Sequence, residues 1–124
     1  MSVLVVDDET DLREAICTLL ESAGHTALAA SNGREALECL RTAGAPCVIL
    51  LDLSMPVMDG WEFRRVQLDD RELAAIPVIV ITADGNAPEK AGRLAAHGFL
   101  KKPFLPDELI RTVAKFCSRG GQPA

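Results

Sequence analysis

The chain has 124 residues, 48% of them hydrophobic and 4% aromatic, and a formal net charge of −5. That is enough apolar mass for one domain with an aliphatic core, and the acidic balance leaves no basic stripe with which to hold a nucleic acid directly. No apolar run reaches membrane-spanning length, and Met1-Ser2 lead straight into Val3-Leu4-Val5-Val6 without a secretory signal, so a cytoplasmic location is expected.

Val3–Val6 is a short apolar run rich in β-branched residues, the form taken by a strand buried on both faces. Asp7, Asp8 and Glu9 follow it. Asp11–Ala23 predicts a helix, with Leu12, Ala15, Ile16, Leu19 and Leu20 on one stripe, Thr10 as N-cap and Gly24 as stop. Thr26–Ala30 is a weaker strand ending in Ser31 and Asn32, and Gly33–Ala43 a second helix carrying Ala36, Leu37 and Leu40 inward. Cys47–Leu51 predicts the third strand, which runs directly into Asp52 before Pro56 and Gly60 break and turn the chain.

Trp61–Glu72 reads as the third helix and Val78–Ile81 as the fourth strand, followed by Thr82. Pro88–His97 is the fourth helix, interrupted by Gly92 and with Pro88 suited to its first turn. Gly98–Lys101 is the fifth strand, and Pro106–Cys117 the fifth helix with Leu109, Ile110, Val113 and Phe116 inward. The domain is expected over 1–119, with 120–124 a flexible tail or the start of a linker. Cys17, Cys39, Cys47 and Cys117 contain no C-x-x-C pair and are expected to be reduced residues of the core.

Strands and helices alternate about five times, which predicts a doubly wound α/β sandwich with right-handed crossovers and helices on both faces. Function in such folds collects beyond the carboxyl ends of the strands. Asp7 and Asp8 follow the first strand, Asp52 the third, Thr82 the fourth, and Lys101, Lys102 and Pro103 close the fifth. If the first and third strands are neighbours, three carboxylates converge and repel one another unless a cation sits among them. Hard oxygen ligands favour Mg²⁺, whose shell a backbone carbonyl of the following loop, that of Ser54, would help complete. With Lys102 opposite, the pocket is suited to a phosphoryl group, and an aspartate fixed at a strand end could attack phosphorus to give an aspartyl phosphate.

Four blocks carry a resemblance: Val3-Leu4-Val5-Val6-Asp7-Asp8-Glu9, Leu50-Leu51-Asp52-Leu53-Ser54-Met55-Pro56-Val57-Met58-Asp59-Gly60, Val78-Ile79-Val80-Ile81-Thr82-Ala83 and Phe99-Leu100-Lys101-Lys102-Pro103-Phe104. In this order they resemble the receiver domain of two-component response regulators, through about Arg119. The resemblance implies a flavodoxin-like fold with five helices and sheet order 2-1-3-4-5. It implies Asp52 as phosphoacceptor, Asp8 as direct Mg²⁺ ligand with Asp7 acting through water, Thr82 as switch hydroxyl and Lys102 as the lysine of the site. It also implies a cis Lys102-Pro103 bond and Phe99 as the switch aromatic. The partners implied are a histidine kinase or histidine phosphotransfer protein as donor and a downstream protein or effector domain. The reader would bind the surface of the fourth helix, fifth strand and fifth helix, and the only catalysis expected is of the domain's own phosphorylation and dephosphorylation. Ala96-His97-Gly98 lacks the acidic residues that DNA-binding relatives use for dimer ion pairs, so a monomer or weak dimer is expected.

Each residue also has a plainer reading. Asp7 and Asp8 could cap a helix, Thr82 could close a strand-end turn, and Lys102 could be solvated. Trp61 reads as packing, and His25 and His97, beside glycines, as turn residues. Ser54 and Asp84, two positions after Asp52 and Thr82, are expected to tune hydrolysis. A degenerate receiver acting as a phosphorylation-independent docking domain is the alternative function. A flavin carrier would need a glycine- and hydroxyl-rich loop where Asp7 and Asp8 stand, and a phosphoester hydrolase usually needs a second aspartate where Ser54 stands.

Overall fold

A computed structural model describes residues 2–83 and 85–117. In chain order the elements are β1 (Ser2–Val6), α1 (Thr10–Ser22), β2 (Thr26–Ala30), α2 (Gly33–Ala43), β3 (Val48–Asp52), α3 (Gly60–Asp69), α4 (Arg71–Ala74), β4 (Val78–Thr82), α5 (Ala87–Arg93), β5 (Gly98–Lys101) and α6 (Pro106–Ala114). The strands form one parallel sheet in the order β2-β1-β3-β4-β5. The doubly wound architecture and strand order expected from the sequence are those observed.

The apolar runs become central strands because both their faces are covered. Val3, Val5, Leu50, Ile79 and Ile81 pack under α1 and α6 against Ile16, Leu20, Leu109 and Val113. Leu4, Val6, Ile49, Leu51 and Val78 point the other way, onto Ala36, Leu37, Leu40 and Phe63 of α2 and α3. A smaller cluster of Leu53, Val80, Ala91 and Leu94 seats α5 on the same side. Every residue of β3 and β4 is buried, and each such Val, Leu or Ile contributes about 1.5–3 kcal/mol relative to exposure.

Several local expectations are corrected. The third predicted helix is two helices: Asp70 takes an extended conformation and its carboxylate accepts from the Glu72 and Leu73 N–H groups, capping α4 as α3 ends. The described residues therefore hold six helices, and the predicted fourth and fifth helices are α5 and α6. Helix α5 stops at Arg93, because Ala95 enters the left-handed region with φ +54°. Thr10 does not cap α1; Glu9 holds that position without a side-chain cap bond. Gly24 does end it, at φ +96°. Cys47 and Cys117 are not reduced: they form a disulfide 70 residues apart in sequence, joining the residue before β3 to the chain just after α6. Cys17 and Cys39 are free and half-buried. The predicted tail lies outside the described residues.

Candidate functional site

The register of the sheet builds the site. Val6 of β1 lies beside Leu51 of β3, so the residues that follow, Asp7 and Asp52, emerge together at the carboxyl edge. Asp7 is fully buried, Asp52 is 6% exposed, and Asp8 is exposed. A carboxylate oxygen from each lies within 4.8 Å of one from the others. At that separation two full negative charges repel by about 3–4 kcal/mol at an effective dielectric of about 20. Lys102 offsets part of this, with Nζ 3.1 Å from Asp7 Oδ2 and 3.8 Å from Asp52 Oδ1.

The surrounding backbone fixes these groups. Asp7 Oδ1 accepts from the Glu9 N–H at 2.9 Å, and the Asp7 carbonyl accepts from Arg13 Nη1 at 2.8 Å. Asp7 Oδ2 is buried, and among the described residues it has no partner beyond the Lys102 ammonium. Three carboxylates converging on one lysine leave a net negative charge, and that donor set fits a hard divalent cation with oxygen ligands. Burial, and then the neighbouring Asp7 carboxylate, push Asp52 up to about 6, and the Lys102 ammonium pulls against them.

Thr82 and Lys102 meet the acids from the next strands. The Lys102 N–H donates to the Thr82 carbonyl at 2.9 Å, which sets the lysine beside the end of β4, and the Lys102-Pro103 bond is cis as expected. The loop after β3 is held close by Gly60, whose N–H donates to the Leu53 carbonyl at 3.1 Å. A Cβ there would stand 2.5 Å from the Asp52 carbonyl oxygen, so only glycine lets the start of α3 approach the site this closely. In the same loop Pro56-Val57-Met58 form a three-residue turn, with Val57 at φ +68° and 72% exposed.

An open cleft of about 680 Å³ contains Asp8, Asp52, Ser54, Thr82 and Lys102. The structure thus brings together Asp7, Asp8, Asp52, Thr82 and Lys102. Ser54 stands exposed at the mouth with its N–H 3.5 Å from Asp52 Oδ1, and Asp84 lies outside the described residues. Phe99 does not join the cleft: it sits opposite Val80 on the edge strand β5, 42% exposed.

Trp61 packs against the cluster of Leu53, Val80, Ala91 and Leu94 as expected, and also lines the cleft. Sequence reasoning missed Lys90, which lines the cleft from α5; it carried no signal, since a lysine in a short polar helix reads as solvated.

A sequence model of the response regulator receiver domain matches residues 3–114. Response regulator Rre1 of Synechocystis is 33% identical over 122 residues, covering 96% of this chain and 52% of that protein. The chain thus spans about half the length of such curated relatives. Chemotaxis response regulator CheY4 of Vibrio cholerae superposes with a TM-score of 0.84 at 33% identity, covering 94% of this chain and 98% of that one. The receiver domain of the Pseudomonas aeruginosa sensor histidine kinase PA1611, solved with magnesium coordinated in its active-site cleft, gives 0.83 at 25% identity over 93% and 95%.

Proposed function

The chain belongs to the response regulator receiver domains of two-component signalling, and from that premise we propose that it accepts a phosphoryl group on Asp52. The observation that carries this reading is the convergence of Asp7, Asp8 and Asp52 with Lys102 at the edge of adjacent strands. The donor is the phosphohistidine of a histidine kinase or histidine phosphotransfer protein. A carboxylate oxygen of Asp52 attacks phosphorus. The new O–P bond forms as the P–N bond breaks, and the electron pair returns to the imidazole nitrogen, which takes a proton from solvent.

Asp7, Asp8 and Asp52, with the Ser54 carbonyl, would hold Mg²⁺, which supplies charge neutralisation at the phosphoryl oxygens. Magnesium in the cleft of the PA1611 receiver is consistent with that assignment. Lys102 balances the remaining negative charge from the other side. The rigid end of β3 supplies alignment, which in phosphoryl transfer carries most of the work. The Thr82 hydroxyl, at the end of the next strand, responds to the new phosphoryl oxygens, and Phe99 changes its exposure as β5 and α5 adjust. A downstream protein or effector domain in the cytoplasm reads the surface of α5, β5 and α6.

The test is phosphorylation by acetyl phosphate with Mg²⁺, read by intact mass. Wild type should gain one phosphoryl group, and neither Asp52→Asn nor wild type in EDTA should do so. An adduct of equal yield on Asp52→Asn would overturn the assignment.

A further inference from the structure

Arg64 is 3% exposed on α3, yet the partners that its guanidinium meets are neutral. Nε donates to the Leu94 carbonyl at 2.9 Å and Nη2 to the Ala95 carbonyl at 2.7 Å, while Nη1 donates to Gln67 Oε1 at 2.7 Å. Gln67, fully buried, passes the network on: its Nε2 donates to the carbonyls of Leu73 and Ile76 at 2.9 and 3.1 Å. One arginine and one glutamine therefore bind α3 to the end of α4, to the approach to β4 and to the C-terminal end of α5. The acceptors are backbone carbonyls, so losing either side chain would leave buried acceptors without donors. The network therefore ties these segments to one another.

The two ends of α5 differ. At the C-terminal end the carbonyls of Leu94 and Ala95 are gripped by Arg64 just where Ala95 turns left-handed, and Arg93 lies over the Trp61 ring at 5.3 Å. Leu94 and Ala91 are buried there against Leu53 and Val80. At the N-terminal end Asn86 makes no side-chain cap bond, and Ala83, Gly85 and Asn86 are exposed. That end adjoins the acidic cleft, which Thr82, Ala83 and Lys90 line. A seven-residue helix containing Gly92 and Pro88 has little intrinsic stability. Its position is set by what holds it.

We propose that Arg64 is a positioning residue that makes the C-terminal end of α5 a fixed pivot, so that phosphorylation displaces only the N-terminal half of the helix. The inference rests on the phosphoacceptor reading. When Thr82 and Ala83 shift toward a phosphoryl group, residues 86–90 follow them. Residues 94–97 stay with α3, because moving them would break both guanidinium bonds at once. The surface offered to a reader is then altered at one end of α5 and preserved at the other.

The test uses the whole chain with Mg²⁺, with and without beryllofluoride, by hydrogen exchange and backbone-amide shifts. Bound beryllofluoride is followed separately by its ¹⁹F resonances. In the wild type, beryllofluoride should change exchange at residues 86–90 by about fivefold or more and at 94–97 by less than about twofold. In Arg64→Met/Gln67→Leu, which replaces the network with apolar groups of similar size, 94–97 should exchange about tenfold faster and the beryllofluoride response should spread to both ends. A wild type whose 94–97 amides respond as strongly as 86–90 overturns the pivot, whether or not the variant folds. A folded variant with the wild-type response assigns Arg64 a purely structural role. If no ¹⁹F signal of bound beryllofluoride appears on the wild type, the phosphoacceptor reading fails first and the pivot falls with it.

Discussion

Replacing Asp52 by asparagine should make the metal-free protein more stable, and the size of the gain follows from the site. Burial and the Asp7 carboxylate raise Asp52 from 3.8 to about 6. The folded state therefore binds a proton more tightly than the unfolded chain does. Between these two values the native state holds more protons, so stability falls as pH rises through them, and above about 6 the whole penalty is present. At 1.36 kcal/mol per tenfold change in affinity the penalty is about 3 kcal/mol at pH 7.5, and it shrinks to about 1 kcal/mol at pH 4.5. Asparagine keeps the shape and carries no charge, while Lys102 retains Asp7 at 3.1 Å. Urea unfolding of wild type and Asp52→Asn in EDTA at several pH values measures the difference. A gain of about 3 kcal/mol corresponds to about 10 °C in Tm for a domain of this size. Mg²⁺ should narrow the gap by stabilising the wild type more than the variant, which lacks one of the three carboxylates. If Asp52→Asn is no more stable than wild type at pH 7.5, or if the gap widens toward acid, the carboxylates do not oppose one another as described.

Reduction of Cys47–Cys117 opens a cross-link spanning 70 residues, which loop entropy values at about 4 kcal/mol. Reductant should lower Tm by about 10–15 °C, and four titratable thiols in the untreated protein, with no response to reductant, would contradict the bond. Val57→Asn should stabilise by about 1 kcal/mol in denaturant titration, because asparagine tolerates the left-handed conformation that a β-branched side chain resists. Little packing is lost, Val57 being 72% exposed, and a loss of stability would show that the turn needs valine. Gly60→Ala should cost about 1–3 kcal/mol and weaken Mg²⁺ binding by calorimetry, since the new methyl group meets the Asp52 carbonyl. Unchanged binding would mean that α3 can retreat without moving the acid.

What the sequence reveals here depends on whether one segment's pattern settles the outcome. The runs Val3–Val6, Val48–Leu51 and Val78–Ile81 are apolar on both faces, and only a parallel sheet covered on both sides accommodates them. The acids at their ends are legible for the same reason: a carboxylate directly after a fully buried strand has a predictable place on the carboxyl edge. Asp70 was less visible, because a capping aspartate inside a polar stretch does not disturb helical periodicity. Arg64 and Gln67 were invisible, since amphipathic reasoning sends such side chains to solvent; Arg64 is held by carbonyls just past α5, about 30 residues later, and Gln67 by Arg64 and by the carbonyls of Leu73 and Ile76. The cysteine pair was hidden by distance along the chain, because nothing in a spacing of 70 marks two residues as neighbours.

The adjacency of β1 and β3 has one more consequence. Asp7 and Asp52 lie 45 positions apart in the sequence, and all of α1, β2 and α2 come between them. No nascent chain from which β3 has yet to emerge, and no fragment lacking either strand, can assemble the triple-acid corner. A half-made molecule consequently has no such pocket, and only a chain that holds both strands can possess one.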